Sequence, residues 1–454
     1  MPRSDTTTPA VLFVAVLLGY FNALGAVFQF DDYNVIVNNS AVHSLAAWAD
    51  SMPGIRPLLK YSYALNWTFQ SAPFGFHLFN VIVHAVNVVL VFRLLCVVSK
   101  KAEASWAPLI GALLFALHPV QTEAVTYISG RSVSLMALFY LCSLLAWLRA
   151  EGLDNRRGWR ALSAGLFAMA LLVKETAVTL PLALLLLDAL RSRGSIAVRE
   201  LLWRQRWHVL VLAGALVVFL VSPVYRHLLD VSGSTRGIGI NLLTQANAVF
   251  YLAGQLVLPW RMNVDPDLPV LSGMTPPLFL QSAAIIAIIV AGFRNLHRRA
   301  WFAFAVLWFF LHLLPTNSLL PRLDVANDRQ LYLAAIGVFY AVGLGIDGLL
   351  GRFRRKWMVG LAAGVLLLVL SAATVQRNQE YATAVDFWED ALMKSPGKAR
   401  VANNLGYAYQ QAGRLAEARL AYQRAIDLDP EYWRARINLD ALGAPALEGQ
   451  HRPR

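Results

Sequence analysis

The chain has 454 residues, of which 57% are hydrophobic and 15% charged, with a mean hydropathy of +0.50 and a formal net charge of +13. Soluble chains average about 25% charged residues, so this composition excludes a cytosolic globular protein, a secreted enzyme and a disordered regulator. Apolar stretches recur through residue 376 and then stop. This pattern predicts an all-α fold, a polytopic membrane helix bundle followed by a small soluble tail.

Eleven apolar segments are predicted to cross the membrane. They are 9–29, 76–98, 106–119, 130–149, 158–173, 175–190, 207–225, 277–293, 300–315, 331–349 and 357–375. Several are shorter than the ~20 residues that a perpendicular span needs, but a bundle tolerates short or broken spans because neighbours cover the exposed backbone. A twelfth segment, 241–258, carries four Asn and Gln side chains, so we predict a helix that lies at the membrane interface.

The distribution of Lys and Arg predicts the orientation of the bundle. With the N-terminus inside, twenty basic residues fall on the inner face and nine on the outer face before the tail begins at residue 377. Basic residues concentrate on the cytoplasmic side of membrane proteins. We therefore expect a cytoplasmic N-terminus kept as an uncleaved anchor, an outer-face tail, and no binding of nucleic acid.

Paired carboxylates open the first outer loop. Asp31 and Asp32 directly follow the first predicted span. Adjacent carboxylates repel each other, which makes one of them a better proton acceptor near neutral pH and suits a general base. A solvated loop would also carry such a pair.

Other charged or polar side chains gather at span ends on the predicted outer face, where charges near a bilayer are costly and are functional candidates. They are Arg56, His118, Glu123, Arg131, Lys174, Glu175, Asp324, Asp328 and Arg329. Lys174-Glu175 interrupts an apolar stretch and fits either an ion pair or a phosphate-binding lysine held by its neighbour. Arg131 and Arg329 fit either membrane borders or phosphate clamps.

Metal and cofactor signatures are weak. Asp265-Pro266-Asp267 has the D-x-D pattern of nucleotide-sugar enzymes, but three residues match often by chance. The sequence has no HExxH, Walker loop, GxSxG or paired CxxC motif. We therefore expect neither a metal nor a cofactor.

The tail contains an internal repeat with a period of 34 residues. Ala384, Trp388, Ala391 and Pro396 recur as Ala418, Tyr422, Ala425 and Pro430. This spacing is typical of a tetratricopeptide repeat, in which small residues let two antiparallel helices approach each other. We predict a membrane domain over 1–376, a repeat domain over 377–448 and a short tail over 449–454. The repeat would act either as a structural cap or as a groove for a protein or peptide substrate.

Several motifs together resemble a known family. They stand here as Phe30-Asp31-Asp32, Arg56-Pro57-Leu58, Gly75-Phe76-His77-Leu78-Phe79-Asn80, the run from Phe115 to Val125, Gly130-Arg131, Lys174-Glu175-Thr176 and Asp328-Arg329-Gln330-Leu331-Tyr332-Leu333. In this combination and order the sequence resembles the GT-C class of integral-membrane glycosyltransferases that carry tetratricopeptide repeats. It is most similar to the transmembrane-and-tetratricopeptide-repeat (TMTC-type) O-mannosyltransferases and their bacterial relatives.

The resemblance implies a metal-independent, inverting transfer of one sugar from a polyprenyl-phosphate carrier at the outer face. Asp31 matches the position of the base, and Asp32 is its acidic neighbour. Arg131, Lys174 and Arg329 match positions expected near the donor phosphate. The supporting residues are Arg56, His118, Glu123, Glu175 and Asp328.

These expectations combine into one hypothesis with two alternatives. We expect a bacterial inner-membrane enzyme with a periplasmic repeat domain that glycosylates Ser or Thr of exported proteins, with membrane lipid around it and the acceptor docked on the repeats. One alternative keeps the donor and makes a glycan or lipid the acceptor. The other is a non-catalytic scaffold that uses the repeats to assemble an envelope complex.

Overall fold

The computed structural model describes residues 7–443 except 53, 100–104, 151–155, 192–199 and 201–202. The predicted tail 449–454 lies outside the described residues. The described chain is helical and contains no strand. It divides into two compact units, one formed by 1–262 with 268–379 and the other by 263–267 with 380–454.

The first unit is a helix bundle. Its α-helices are α1 (Thr7–Tyr20), α2 (Leu45–Asp50), α3 (Pro57–Phe69), α4 (Pro73–Val98), α5 (Ala107–Leu117), α6 (Thr122–Val125), α7 (Arg131–Ala150), α8 (Arg156–Val173), α9 (Leu180–Arg191), α10 (Arg206–Val221), α11 (Pro223–Thr235), α12 (Ile238–Gln255), α13 (Pro276–Arg294), α14 (Ala300–Leu313), α15 (Leu331–Arg352) and α16 (Lys356–Gln379). Short 3-10 turns cover Ile128–Gly130, Glu175–Thr179 and Asp328–Gln330.

Six described helices are long and apolar enough to cross a membrane, and eight if each of two bent pairs counts as one span. The bent pairs break at His118 and at Ser222, where the chain turns by 55° and 76°. Each break is followed by a proline, which disfavours helical geometry in the residue before it. The all-helical membrane class is confirmed, but the predicted count of eleven spans is not, because several predicted spans are short or interrupted helices.

The core of the bundle lies between α4, α5, α7 and α15, which pack against one another and contribute large buried side chains such as Phe76, Phe115, Trp147 and Tyr332. By contrast, α13 and α16 expose most of their apolar side chains, and only 11% of each candidate span is buried. Apolar faces of this extent need a lipid environment.

The second unit is a helical array. It contains α17 (Ala384–Lys394), α18 (Ala399–Gln411), α19 (Leu415–Leu428) and α20 (Trp433–Gly443). A Cβ on Gly406 would lie 2.6 Å from the Tyr422 ring. The glycine therefore permits the aromatic ring of α19 to lie directly against α18, as the repeat pattern predicts.

The D-x-D sequence has a structural partner in this second unit. The Asp265 carboxylate accepts hydrogen bonds from Lys398 Nζ at 2.5 Å and from Arg400 Nε at 2.8 Å. Ser395 Oγ donates to the Asp265 carbonyl at 2.9 Å. Asp265 is thus occupied by two cations of the repeat region, and the carboxylate stabilises this unit.

Candidate functional site

The chain after α1 places the two adjacent aspartates in different environments. Phe30 adopts a left-handed backbone conformation with φ of 40°, which is strained for a bulky residue and marks a constrained turn. The turn buries Asp32 completely. Asp32 Oδ1 accepts hydrogen bonds from the Ser129 backbone N–H at 2.8 Å and from the Ser129 hydroxyl, and Oδ2 accepts one from the Gln29 N–H at 2.9 Å.

Asp31 is the more open of the pair. Its side chain is partly exposed, and its carboxylate makes no hydrogen bond within the part of the chain that the structure describes. Its backbone N–H donates to the Tyr127 hydroxyl at 2.9 Å. The backbone is therefore fixed while the carboxylate stays available, which is the arrangement that a general base needs.

The pH dependence of the free energy of unfolding should show how the buried Asp32 carboxyl affects the stability of the fold. Burial raises the pKa of the Asp32 carboxyl from 3.8 to about 7, against the opposing hydrogen bonds from Ser129 and Gln29. Because this pKa is higher in the folded state than in the unfolded state, the folded protein is more stable when the Asp32 carboxyl is protonated. The stability that Asp32 contributes is therefore complete below pH 4 and is lost as the pH rises through 7.

We define the stability gap as the free energy of unfolding of wild type minus that of Asp32→Asn. We expect this gap to fall by up to about 1.4 kcal/mol per pH unit between pH 4 and 7. The asparagine carries no charge at any pH, so it serves as the reference. Thermal unfolding of both proteins in the same detergent across pH 4.5–8 measures the gap. A gap that widens with pH would contradict this assignment.

The segment between α5 and α7 forms the second wall of the site. The Glu123 carboxylate accepts the Arg329 backbone N–H at 2.9 Å and lies 3.5 Å from Arg329 Nε. A Cβ on Gly130 would lie 2.0 Å from the Glu123 carbonyl oxygen, so only glycine allows the two turns to approach. The Arg329 guanidinium also lies 5.8 Å from the Tyr127 ring, which links Asp31 through Tyr127 to Arg329.

His118 has a structural contact in the same segment. Its Nδ1 accepts the Val120 backbone N–H at 3.1 Å, which leaves Nε2 as the donor to the Leu256 carbonyl at 3.3 Å. Asp328 is buried in the sequence motif that begins α15. Both residues shape the fold around the site.

Arg56 and Glu175 form a bidentate ion pair. Arg56 Nε donates to Glu175 Oε1 at 3.0 Å and Arg56 Nη2 donates to Oε2 at 2.8 Å. The Tyr225 hydroxyl also donates to Glu175 at 3.1 Å. Arg56 has a positive φ of 51° immediately before α3. Glu175 therefore holds Arg56 and not its neighbour Lys174.

Lys174 lies beside a cavity that opens between α7, α14 and α15. Its Nζ donates to the Ser132 hydroxyl at 3.2 Å. Burial lowers the pKa of the Lys174 ammonium well below its usual range, and the nearby guanidinium groups add to the effect. The cavity, whose empty volume of about 480 Å³ includes open solvent, is lined by three cations, Lys174, Arg322 and Arg329, together with apolar side chains such as Val133 and Leu333.

Arg131 does not line this cavity. It is fully buried, and its guanidinium donates to Asn80 Oδ1 at 2.7 Å, to the Ser62 carbonyl at 3.1 Å and to the Phe76 carbonyl at 3.0 Å. The ring of Phe79 lies 4.3 Å from the guanidinium carbon. The structure thus gives Arg131 protein partners beneath the site, whereas Lys174 and Arg329 face the cavity.

Three side chains of the site were not identified as candidates from the sequence: Tyr127, Tyr225 and Arg322. Arg322 belongs to the outer-face basic set, but it stands in an irregular segment without a motif. The tyrosines lack any charge that would distinguish them from aromatic residues at a membrane border. Among the described residues, no group of three His, Cys, Asp or Glu is arranged to hold a metal ion.

The comparisons with known proteins agree with the predicted repeat and with the family resemblance. Residues 399–432 match the tetratricopeptide repeat model, which confirms the predicted repeat. The chain is 26% identical over 475 residues to Protein O-mannosyl-transferase TMTC3 of Homo sapiens, covering 92% of this chain and 51% of that protein. It is 25% identical to Protein O-mannosyl-transferase F38B6.6 of Caenorhabditis elegans, covering 93% and 63%.

A shorter match is stronger in identity. Protein O-mannosyl-transferase Tmtc2 of Drosophila melanogaster is 37% identical over 197 residues, which is 38% of this chain and 20% of that protein. The chain spans about half the length of several curated relatives that it matches. Among solved structures, an Archaeoglobus fulgidus oligosaccharyltransferase tethered to an acceptor peptide aligns with a TM-score of 0.44 at 15% identity, covering 86% of this chain and 57% of that one. The resemblance to TMTC-type protein O-mannosyltransferases is confirmed by these relatives.

Proposed function

We propose that this protein is an inverting glycosyltransferase that moves one sugar from a polyprenyl-phosphate carrier to Ser or Thr of a protein. The observation that carries the proposal is the pairing of an open carboxylate, Asp31, with a basic cavity, connected through Tyr127 and Arg329. The names of the relatives, protein O-mannosyl-transferases, support the reaction class.

The chemistry of a single displacement fits these groups. Asp31 takes the proton of the acceptor hydroxyl as its oxygen attacks the anomeric carbon, so that one base suffices. The bond between the anomeric carbon and the phosphate oxygen breaks, and its electron pair stays on the phosphate. Fixed cations beside the leaving group, Lys174 and Arg329, stabilise the charge that develops there.

The remaining residues have positioning roles in this proposal. Glu123 fixes Arg329, and Glu175 fixes Arg56 by the bidentate contact. Arg131 acts beneath the site through Asn80, without touching the donor. Asp32, His118 and Asp328 hold the loops that carry these groups.

The placement of the protein is part of the same proposal. We place the membrane domain at 1–376 and the repeat domain at 377–448, with the N-terminus in the cytoplasm and the repeats in the periplasm of a bacterial inner membrane. The basis is the excess of basic residues in the predicted inner segments. The repeats would bind the acceptor polypeptide, since helical repeats form extended binding surfaces.

Sugar transfer by the full chain tests the proposal. The protein in lipid nanodiscs is incubated with polyprenyl-phosphate mannose, glucose or N-acetylglucosamine and with a Ser/Thr-rich exported protein. A variant of that acceptor with Ala at each Ser and Thr is the matched control. We expect the mass of the Ser/Thr-rich acceptor to increase by that of one sugar, attached to Ser or Thr. The variant with Ala at these positions should show no increase.

Two other results would favour the alternatives. Transferred sugar found on lipid or glycan and absent from protein would make the lipid or glycan the acceptor. No transfer from any donor by folded protein would favour the scaffold.

A further inference from the structure

The charges around the cavity are only partly balanced by the protein. Arg56 is paired with Glu175, and Arg329 is paired with Glu123. These two ion pairs have no net charge, so they contribute geometry and hydrogen-bond donors more than an uncompensated field.

Two further cations lack such a partner. Neither Lys174 nor Arg322 has a carboxylate within ion-pair distance in the part of the chain that the structure describes. The Lys174 ammonium has one hydroxyl partner, Ser132. The Arg322 side chain is half-buried in the irregular segment before α15, and the opposing charges that act on it are Asp324 and Glu123.

Two uncompensated cations on one cavity are costly without an anion, because like charges repel and burial removes their hydration. A phosphodiester carries one negative charge, whereas a phosphate monoester carries close to two at neutral pH. Two cations that line one cavity therefore match the monoester better. Such a match is made only after the bond to the sugar has broken, and interactions that strengthen in the transition state raise the rate.

We infer that Lys174 and Arg322 form a dianion site that binds the departing polyprenyl phosphate monoester more tightly than the sugar phosphodiester donor. This assignment rests on the proposed function, and it makes Arg322 a further catalytic residue that contacts the leaving group. The apolar side chains that line the cavity, Val133 and Leu333 among them, suit a phosphate attached to a hydrocarbon chain. The enzyme should consequently be inhibited by its own lipid product.

Binding of small ligands tests the inference independently of sugar transfer. Thermal unfolding of the full chain in detergent is followed with farnesyl phosphate, with its methyl diester and with inorganic phosphate, at pH 7, because the lowered pKa of Lys174 leaves less of its ammonium charged at higher pH. Ligands that bind the folded state raise the unfolding midpoint. We expect farnesyl phosphate to bind about tenfold more tightly than the diester, which corresponds to about 1.4 kcal/mol.

Variants locate the effect. Arg322→Gln should abolish the preference for the monoester, while Arg322→Lys should keep most of it because the charge remains. Arg261→Gln, a change at an exposed arginine of the same unit, is the matched control and should bind like wild type.

Three outcomes would overturn the inference. They are equal binding of monoester and diester, unchanged preference in Arg322→Gln, and stabilisation by inorganic phosphate alone. The last would assign the cavity to free phosphate. Failure of sugar transfer with an intact monoester preference would instead reject the proposed function and leave the dianion site standing.

Discussion

Replacing Asp31 by asparagine is expected to lower the rate of sugar transfer by about a hundredfold to ten-thousandfold, which is the usual contribution of a general base. The substituted side chain keeps its size, and the backbone keeps its hydrogen bond to Tyr127, but an amide cannot accept the hydroxyl proton. The unfolding midpoint should stay close to that of wild type, since the carboxylate has no hydrogen-bond partner among the described residues.

Initial rates with the donor and acceptor that give transfer measure this effect. Asp50→Asn is the matched control, because Asp50 is an exposed aspartate at the end of α2 in the same predicted outer segment. Transfer by Asp31→Asn at the wild-type rate would remove Asp31 from the mechanism. If Asp32→Asn alone abolished transfer while remaining folded, the base would be Asp32.

Replacing Arg131 by glutamine is expected to destabilise the bundle by about 3 kcal/mol or more, because breaking a buried charged contact leaves its partners unsatisfied. Asn80 Oδ1 and the carbonyls of Ser62 and Phe76 would each lose a donor. Asn80 itself donates to the carbonyl of Val125, so the disturbance should reach the segment that carries Glu123.

Unfolding midpoints in detergent measure the loss of stability. Arg149→Gln is the matched control, since Arg149 is an exposed arginine at the other end of the same helix, α7. Arg131→Lys should be intermediate, because lysine keeps the charge without the planar fork of donors. A higher KM for the donor with unchanged stability would contradict the structural role and would indicate that Arg131 contacts the donor phosphate directly.

The helical membrane class and the repeat could be predicted because both depend on local periodicity. Apolar runs specify buried or lipid-facing helices wherever they occur, and the 34-residue period specifies a helix pair by its own spacing. The number of spans was less accessible. A proline follows each break, at His118 and Ser222, but a membrane span tolerates such a break only where other groups satisfy the freed backbone, which depends on packing.

Sequence by itself determined which charged groups gather at the ends of apolar segments, because a charge there is costly and its position can be read directly from the sequence. Only the tertiary structure decided what each group does. Asp31 and Asp32 are adjacent and chemically identical, yet a turn with Phe30 at positive φ buries one and leaves the other open. Arg56 meets Glu175 across 119 residues of sequence, and Arg322 reaches the cavity from an irregular segment. Such partners depend on how helices pack, and packing is set by contacts between residues that are distant in the chain.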